Sequence, residues 1–146
     1  MNYSNEMTLE FESISKNESF ARIVVTAFIT SLDPTLEELS DVKTAVSEAV
    51  TNCIIHGYED NKGKIKLKCG ILDNTVYIEI SDQGKGIENI KKAMEPLYTS
   101  KPELERSGMG FAFMEAFMDD LEVISKVSEG TTIKMRKKIC STASRT

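Results

Sequence analysis

Three polar side chains that could do chemistry are spaced four residues apart: Glu48, Asn52 and His56. Side chains at this spacing rise along one face of an α-helix, so a helix here would present them together. A carboxylate in such a stripe can act as a general base, and an amide oxygen can ligate a hard cation such as Mg²⁺. The alternative is a solvated helix surface, which the spacing does not exclude.

A second candidate is the segment Asp82-Gln83-Gly84-Lys85-Gly86, which directly follows a strand-like run. Glycines allow the backbone to bend and to approach a ligand closely. An aspartate at the end of a strand can accept a hydrogen bond from an exocyclic amine such as that of adenine. A plain turn has the same composition, so this motif also leaves its function open.

The third candidate is Ser107-Gly108-Met109-Gly110, which opens an apolar helical segment. Glycine-rich backbone at a helix N-terminus presents unpaired N–H groups and the positive end of the helix dipole, an arrangement that binds anions. Lys101 and Arg106 lie just upstream, where they could reach the terminal phosphates of a nucleotide. A flexible connection with solvated charges is the alternative.

The elements that position these residues follow from hydrophobic periodicity in the first half of the chain. Alternation over residues 7–11 predicts a strand. Capping boxes that start at Ser15 and Thr35 open two helices. The second of these helices runs to His56, and Gly57 can end it in a left-handed conformation.

The second half of the chain combines hairpins and helices. Strands are predicted at 65–72, 75–81, 121–125 and 131–137, helices at 88–94 and 111–118, and a long loop at 98–110. This order predicts an α+β fold, a two-layer α/β sandwich in which helices cover one face of a mixed or antiparallel sheet. We expect one domain over residues 1–138 and a frayed, Ser/Thr-rich tail over residues 139–146.

Composition limits the class of protein. The chain has 146 residues, 40% of them hydrophobic, which is enough for one core. Its net charge of −5 argues against general nucleic-acid binding. Three cysteines without a CxxC pattern indicate neither a disulfide framework nor a zinc site, and Cys53 is expected to be a small core residue. With no signal segment and no apolar run of membrane-spanning length, we expect a cytoplasmic protein that does not bind membranes.

The three motifs, in this order and on these elements, resemble the ATP-binding fold shared by gyrase, Hsp90, histidine kinases and MutL. Over nearly the whole chain the sequence is also similar to the family of anti-sigma F factors of spore-forming bacteria. The segments that carry this similarity are NESFAR (17–22), SEAVTN (47–52), IIHGY (54–58) and TSKPELERSGMGFAFME (99–115). The resemblance implies a homodimer that uses ATP and Mg²⁺, inhibits a sporulation sigma factor and, as a protein-serine kinase, phosphorylates the anti-anti-sigma antagonist of that factor.

The resemblance also implies a role for each matching residue. Glu48 would be the base for the attacking serine, Asn52 would ligate Mg²⁺, and Asp82 would read the adenine amine. Thr131 would assist Asp82 through its hydroxyl or a bridging water, with hairpin packing as the alternative, and Arg22 would contact the partner proteins. The remaining nucleotide-binding residues would be the adenine-side glycines and the phosphate-binding lid: Gly84, Gly86, Lys101, Arg106, Ser107, Gly108 and Gly110.

Two other functions stay open at this point. A non-catalytic module that uses nucleotide only to shape a sigma-binding surface would need Asn52 and the glycines, but it would not need the base Glu48. A related serine kinase of the general stress response would share residues 48–52 and 82–86, although the similarity over 99–115 favours the sporulation family. Histidine autophosphorylation is disfavoured because the single histidine, His56, lies in the ATP-site helix.

Overall fold

Within residues 2–95 and 110–140, which the computed structural model describes, five strands form one sheet in the order β1-β2-β3-β5-β4. The strands are β1 (Asn5–Glu12), β2 (Lys64–Leu72), β3 (Thr75–Asp82), β4 (Asp120–Lys126) and β5 (Gly130–Lys138). Each neighbouring pair is antiparallel. The predicted hairpin turn at Asp73-Asn74 is confirmed, with both residues at positive φ (49° and 61°) as a two-residue turn of this kind requires.

Helices cover one face of this sheet. The helices within the described ranges are α1 (Lys16–Ile29), α2 (Leu36–Asn52), α3 (Ile90–Ala93) and α4 (Gly110–Phe117), and α2 packs against both α1 and α4. The α2 side chains Val42, Val46 and Ala49 are fully buried. They share the core with alternate strand residues such as Ile65 and Leu67, so the predicted two-layer α+β fold is confirmed. No helix within the described ranges is long and apolar enough to cross a membrane.

The other face of the sheet carries charges of alternating sign. Lys68 of β2 lies opposite Glu79 of β3, which in turn lies opposite Lys134 of β5, and Lys134 lies opposite Glu122 of β4. Opposite charges on neighbouring strands attract each other weakly and favour this register. The row is typical of a sheet face that contacts water.

The two predicted capping boxes have different outcomes. At the start of α2, the Thr35 hydroxyl accepts from the Glu38 N–H at 3.2 Å, and the Glu38 carboxylate accepts from the Thr35 N–H at 2.9 Å. The capping box predicted at Ser15 is wrong, because this residue already has helical dihedral angles (φ −59°, ψ −31°) and its side chain makes no capping hydrogen bond. A side-chain N-cap needs an extended residue. Helix α1 ends at Ile29, and a 3-10 turn completes the predicted helical segment.

The end of α2 also differs from the prediction. The helix ends at Asn52 and continues as a π-helical turn, Cys53–Gly57. The prediction of a left-handed Gly57 is wrong, since the glycines at positive φ in the described residues are Gly86 and Gly130. Turns of π type are rare and occur often at functional sites. Glycine is required at position 57 by its close contact with the side chain of Asp82.

The folded chain extends beyond the predicted domain boundary. The side chain of Ile139 is fully buried, and its N–H donates to the Asn74 carbonyl at 2.7 Å. The N–H of Cys140 donates to the Glu38 carboxylate at 2.9 Å. These two residues therefore belong to the domain and not to a frayed tail, because one fills the core and the other is hydrogen-bonded to α2. Residues 141–146 lie outside the described residues.

Candidate nucleotide-binding site

Asp82 places a buried carboxylate at the end of the central strand β3, where its side chain is only 5% exposed. Its Oδ1 accepts the backbone N–H groups of Gly84 at 2.9 Å and of Thr131 at 3.3 Å. Its Oδ2 is buried and has no hydrogen-bond partner. An unpaired buried acceptor costs about 1 to 3 kcal/mol. This carboxylate is therefore suited to a ligand that donates a hydrogen bond to Oδ2.

The environment of this acceptor site shifts the pKa values of Asp82 and of the neighbouring Cys53. Burial raises the pKa of the Asp82 carboxyl, and the N–H of Gly84, the thiol of Cys53 and the N–H of Thr131 oppose that rise. Burial, together with the nearby Asp82 charge, raises the pKa of the Cys53 thiol well above its usual range. Cys53 is thus an unreactive core residue, and it also lies against the carboxylate.

Three glycines let the backbone close around Asp82. A Cβ on Gly57 would lie 2.6 Å from the Asp82 Oδ2, and a Cβ on Gly84 would lie 2.0 Å from the Gly57 carbonyl oxygen. A Cβ on Gly130 would lie 2.1 Å from the Asp82 carbonyl oxygen. Any larger residue would displace the carboxylate or the backbone beside it. Gly57 is therefore needed for close approach to Asp82.

The loop that follows Asp82 is held from two sides. On the helix side, the Lys85 N–H donates to the Gly57 carbonyl at 2.9 Å. On the hairpin side, the Ser128 N–H donates to the Lys85 carbonyl at 2.7 Å. Gly86 has a φ of +77°, and a Cβ there would meet the backbone of the β4–β5 hairpin at 2.2 Å. The predicted adenine-side glycines thus have specific steric reasons for their lack of a side chain.

Sequence reasoning missed Ser125 in β4. Its hydroxyl accepts from the Ile87 N–H at 2.7 Å and lies 2.8 Å from the Thr131 hydroxyl. Thr131 therefore contacts Asp82 through its backbone N–H, while its hydroxyl bonds to Ser125. A serine where the alternation of β4 calls for an apolar residue is the signal that could have identified this contact.

The stripe of Glu48, Asn52 and His56 lies along α2 and the π-helical turn, with all three side chains half-buried. Cys53, the residue after Asn52, lies against Asp82. Glu48 lies one turn before Asn52, about 6 Å farther from Asp82 along the helix axis at 1.5 Å per residue. The buried acceptor Asp82 therefore lies at one end of the site, and the Glu48 carboxylate lies at the other end.

The predicted phosphate-binding segment is only partly within the described residues. Gly110 is half-buried and begins α4, which packs against α2. The start of α4 therefore belongs to the same helical layer as the stripe. Lys101, Arg106, Ser107 and Gly108 lie outside the described residues.

The amide oxygen of Asn52 is a donor of a type that can ligate Mg²⁺. In residues 2–95 and 110–140, no group of three His, Cys, Asp or Glu side chains could hold a metal ion. Mg²⁺ at nucleotide sites usually takes one or two protein ligands and completes its shell with phosphate and water oxygens.

Arg22 lies on α1, a helix that also carries exposed apolar side chains. Its guanidinium is 3.9 Å from the Glu18 carboxylate and donates to the Ser19 hydroxyl at 3.3 Å. Phe20 and Ile23 on the same helix are 48% and 64% exposed. Exposed apolar side chains on one helix are typical of a protein contact site.

Replacing Gly57 by alanine tests the close approach to Asp82. The added methyl group must displace the carboxylate or the π-helical turn, so we expect nucleotide affinity to fall at least about tenfold, the effect of losing one charge-assisted hydrogen bond. Isothermal titration with ATP measures it. Gly70→Ala is the control, since the nearest atoms to its Cβ would be those of the Tyr3 ring on the outer face of the sheet. Unchanged affinity in Gly57→Ala would contradict the steric argument.

Comparisons with known proteins identify the family of this chain. A family model described as a histidine kinase-like ATPase domain matches residues 15–137. The anti-sigma F factor of Clostridium botulinum (strain Eklund 17B / Type B) is 64% identical over 93% of this chain and 96% of its own length. The anti-sigma F factor of Caldanaerobacter subterraneus subsp. tengcongensis is 58% identical over 95% of this chain and 97% of its own length.

Solved structures show the same fold at low sequence identity. The RsbU and RsbW domains of a Mycobacterium tuberculosis protein align with a TM-score of 0.67 and 16% identity, covering 93% of this chain and 32% of that one. The catalytic domain of the histidine kinase ThkA aligns with a TM-score of 0.54 and 15% identity, covering 91% of this chain and 97% of that one. From the family model and the close relatives, the chain contains a histidine kinase-like ATPase domain and belongs to the anti-sigma F factor family.

Proposed function

We propose that this protein binds ATP with Mg²⁺, inhibits a sporulation sigma factor and phosphorylates a serine of the anti-anti-sigma protein that antagonises it. The observation that supports nucleotide binding best is the buried, unpartnered Oδ2 of Asp82 inside a loop closed by glycines. The exocyclic amine of adenine is a donor of the right kind for this oxygen. Membership of the anti-sigma F factor family supports the sigma factor as target.

The proposed phosphoryl transfer asks little of the protein beyond positioning and proton transfer. Glu48 accepts the proton of the serine hydroxyl as the serine oxygen attacks the γ-phosphorus. The new P–O bond forms while the bond to the β-phosphate oxygen breaks, and ADP leaves with that electron pair. Asn52 would hold Mg²⁺, which when bound neutralises charge on the phosphates. The half-buried position of Glu48 on the same helix as Asn52 supports this assignment.

The surface of α1 supports the proposed protein contacts. Arg22 would contact the sigma factor and, in competition, its antagonist. We also propose a homodimer formed through β1 and α1, since β1 is an edge strand and the exposed apolar residues Ile14, Phe20 and Ile23 lie on α1 or just before it. Multi-angle light scattering is expected to give twice the 16.3 kDa mass of the chain, and a monomer mass would contradict the dimer.

The experiment that tests the proposed function is transfer of γ-labelled phosphate from Mg·ATP to the purified antagonist. ATP binding and sigma-factor binding are measured on the same preparation. Labelling of a serine supports the kinase. Binding of ATP and of the sigma factor without any transfer would show a non-catalytic sequestering module. Failure to bind the sigma factor would contradict the inhibitory function.

A further inference from the structure

Tyr58 follows the π-helical turn and bridges two segments of the site. Its hydroxyl donates to the Lys64 carbonyl at 2.6 Å and accepts from the Gln83 N–H at 2.8 Å. Lys64 begins β2, and Gln83 is the residue directly after Asp82. One hydroxyl therefore joins the end of the α2 segment, the start of β2 and the loop that carries the buried carboxylate.

The ring of Tyr58 packs directly against Gly63. A Cβ on Gly63 would lie only 2.4 Å from the Tyr58 Cε1, so the ring occupies the space that any other residue would fill. Gly63 is itself fixed, because its N–H donates to the Ser13 hydroxyl at 2.9 Å and its carbonyl accepts from the Ser13 N–H at 2.8 Å. The hydroxyl of a tyrosine holds its proton at neutral pH, and burial raises the pKa of Tyr58 further.

We propose that Tyr58 is a positioning residue for nucleotide recognition, an inference that rests on the proposed function. The hydroxyl fixes the backbone at Gln83, and the Gln83 backbone sets the direction of the Asp82 carboxylate. Asp82 can present Oδ2 to a ligand only while Oδ1 stays bonded to the Gly84 N–H. Without the Tyr58 hydroxyl, the loop after Asp82 keeps its hydrogen bond from the Lys85 N–H to the Gly57 carbonyl at the end of the α2 segment.

Tyr58→Phe is expected to raise the dissociation constant for ATP about fivefold to tenfold, the effect of one lost hydrogen bond with an unpaired N–H left behind. The turnover number at saturating ATP is expected to stay unchanged, because Glu48 and Asn52 lie on α2 and keep their positions. In the nucleotide-free protein, amide exchange should accelerate at Gln83 and stay unchanged at Ile80 in the centre of β3.

Gly63→Ala provides an independent variant, because it displaces the ring while the hydroxyl is retained. It is expected to reproduce the weaker ATP binding and the faster Gln83 exchange. Tyr77→Phe is the matched control, since this tyrosine lies on the outer face of β3 against the ring of Tyr3. It should leave both measurements at the wild-type value.

Two results would overturn the proposal. One is a wild-type ATP affinity in Tyr58→Phe, and the other is faster exchange at Ile80 as well as at Gln83, which would indicate general loosening of the sheet. A wild-type protein that binds no ATP would instead overturn the proposed function. The Gln83 exchange rate would then decide alone whether Tyr58 holds the loop.

Discussion

Replacing Glu48 by glutamine is expected to slow phosphate transfer to the antagonist by a factor of about 10² to 10⁴, the usual contribution of a general base. Glutamine keeps the size of the side chain and its hydrogen-bonding capacity, but it cannot take the proton of the serine hydroxyl. ATP affinity should change little, because Asp82, the proposed adenine acceptor, lies beyond the other end of the stripe. Single-turnover transfer of γ-labelled phosphate, with ATP binding measured separately, checks both parts.

The matched control for this variant is Glu37→Gln, which removes an exposed carboxylate from the first turn of the same helix. It should leave both transfer and ATP binding near the wild-type values. If Glu48→Gln transfers phosphate as fast as wild type, Glu48 is not the base. If it loses ATP binding in proportion to transfer, its role is to bind nucleotide.

Asp82→Asn is expected to weaken ATP binding about tenfold to a hundredfold, the range for a hydrogen bond to a charged group. Oδ1 is committed to the N–H groups of Gly84 and Thr131, so the new amide nitrogen must take the position of Oδ2. The new amide N–H group and the adenine amine, both hydrogen-bond donors, would then face each other. The amide nitrogen could instead donate to the O6 oxygen of guanine, so the ratio of ATP to GTP affinity should also fall. Competition titrations measure both quantities, with Asp73→Asn in the exposed hairpin turn as control.

The same substitution is expected to leave the nucleotide-free fold as stable as wild type or more stable. Burial raises the pKa of Asp82 in the folded protein above its unfolded value, so the folded state binds more protons between the two pKa values. The free energy of unfolding therefore falls as the pH rises through that interval. Asp82→Asn removes this pH-dependent fall in the free energy of unfolding, because asparagine does not titrate. Urea unfolding at acidic and at neutral pH tests it, and lower stability of the variant at neutral pH would contradict the sign.

The fold could be predicted well where a local pattern determines the structure. Alternation identified the strands, and the capping box at Thr35 was found because both of its hydrogen bonds lie within four residues. The box at Ser15 has the same letters, but there the chain is already helical when it leaves the turn after β1. Letters alone do not determine the dihedral angle that a cap needs.

The site could be predicted as a set of residues more readily than as a geometry. The spacing of Asp82 and its glycines predicts a ligand site, but the reason for Gly57 depends on a contact with Asp82, 25 positions along the chain. The Thr131 backbone N–H and the Ser125 hydroxyl depend on the pairing of β3 with β5 and of β5 with β4. Contacts between distant segments have no signature in a single sequence, so these details needed the structure.

The pairing of Asp82 with Thr131 at the end of β3 and β5 has a consequence for folding. The two residues are separated by 49 positions, and the intervening chain includes α3, α4 and β4. Closing so long a loop costs entropy that local contacts do not repay, so pairing of this kind forms late. A ligand that needs both strands binds only the completed sheet and stabilises it by mass action. Adenine nucleotide would thus select chains whose last strands are already in place.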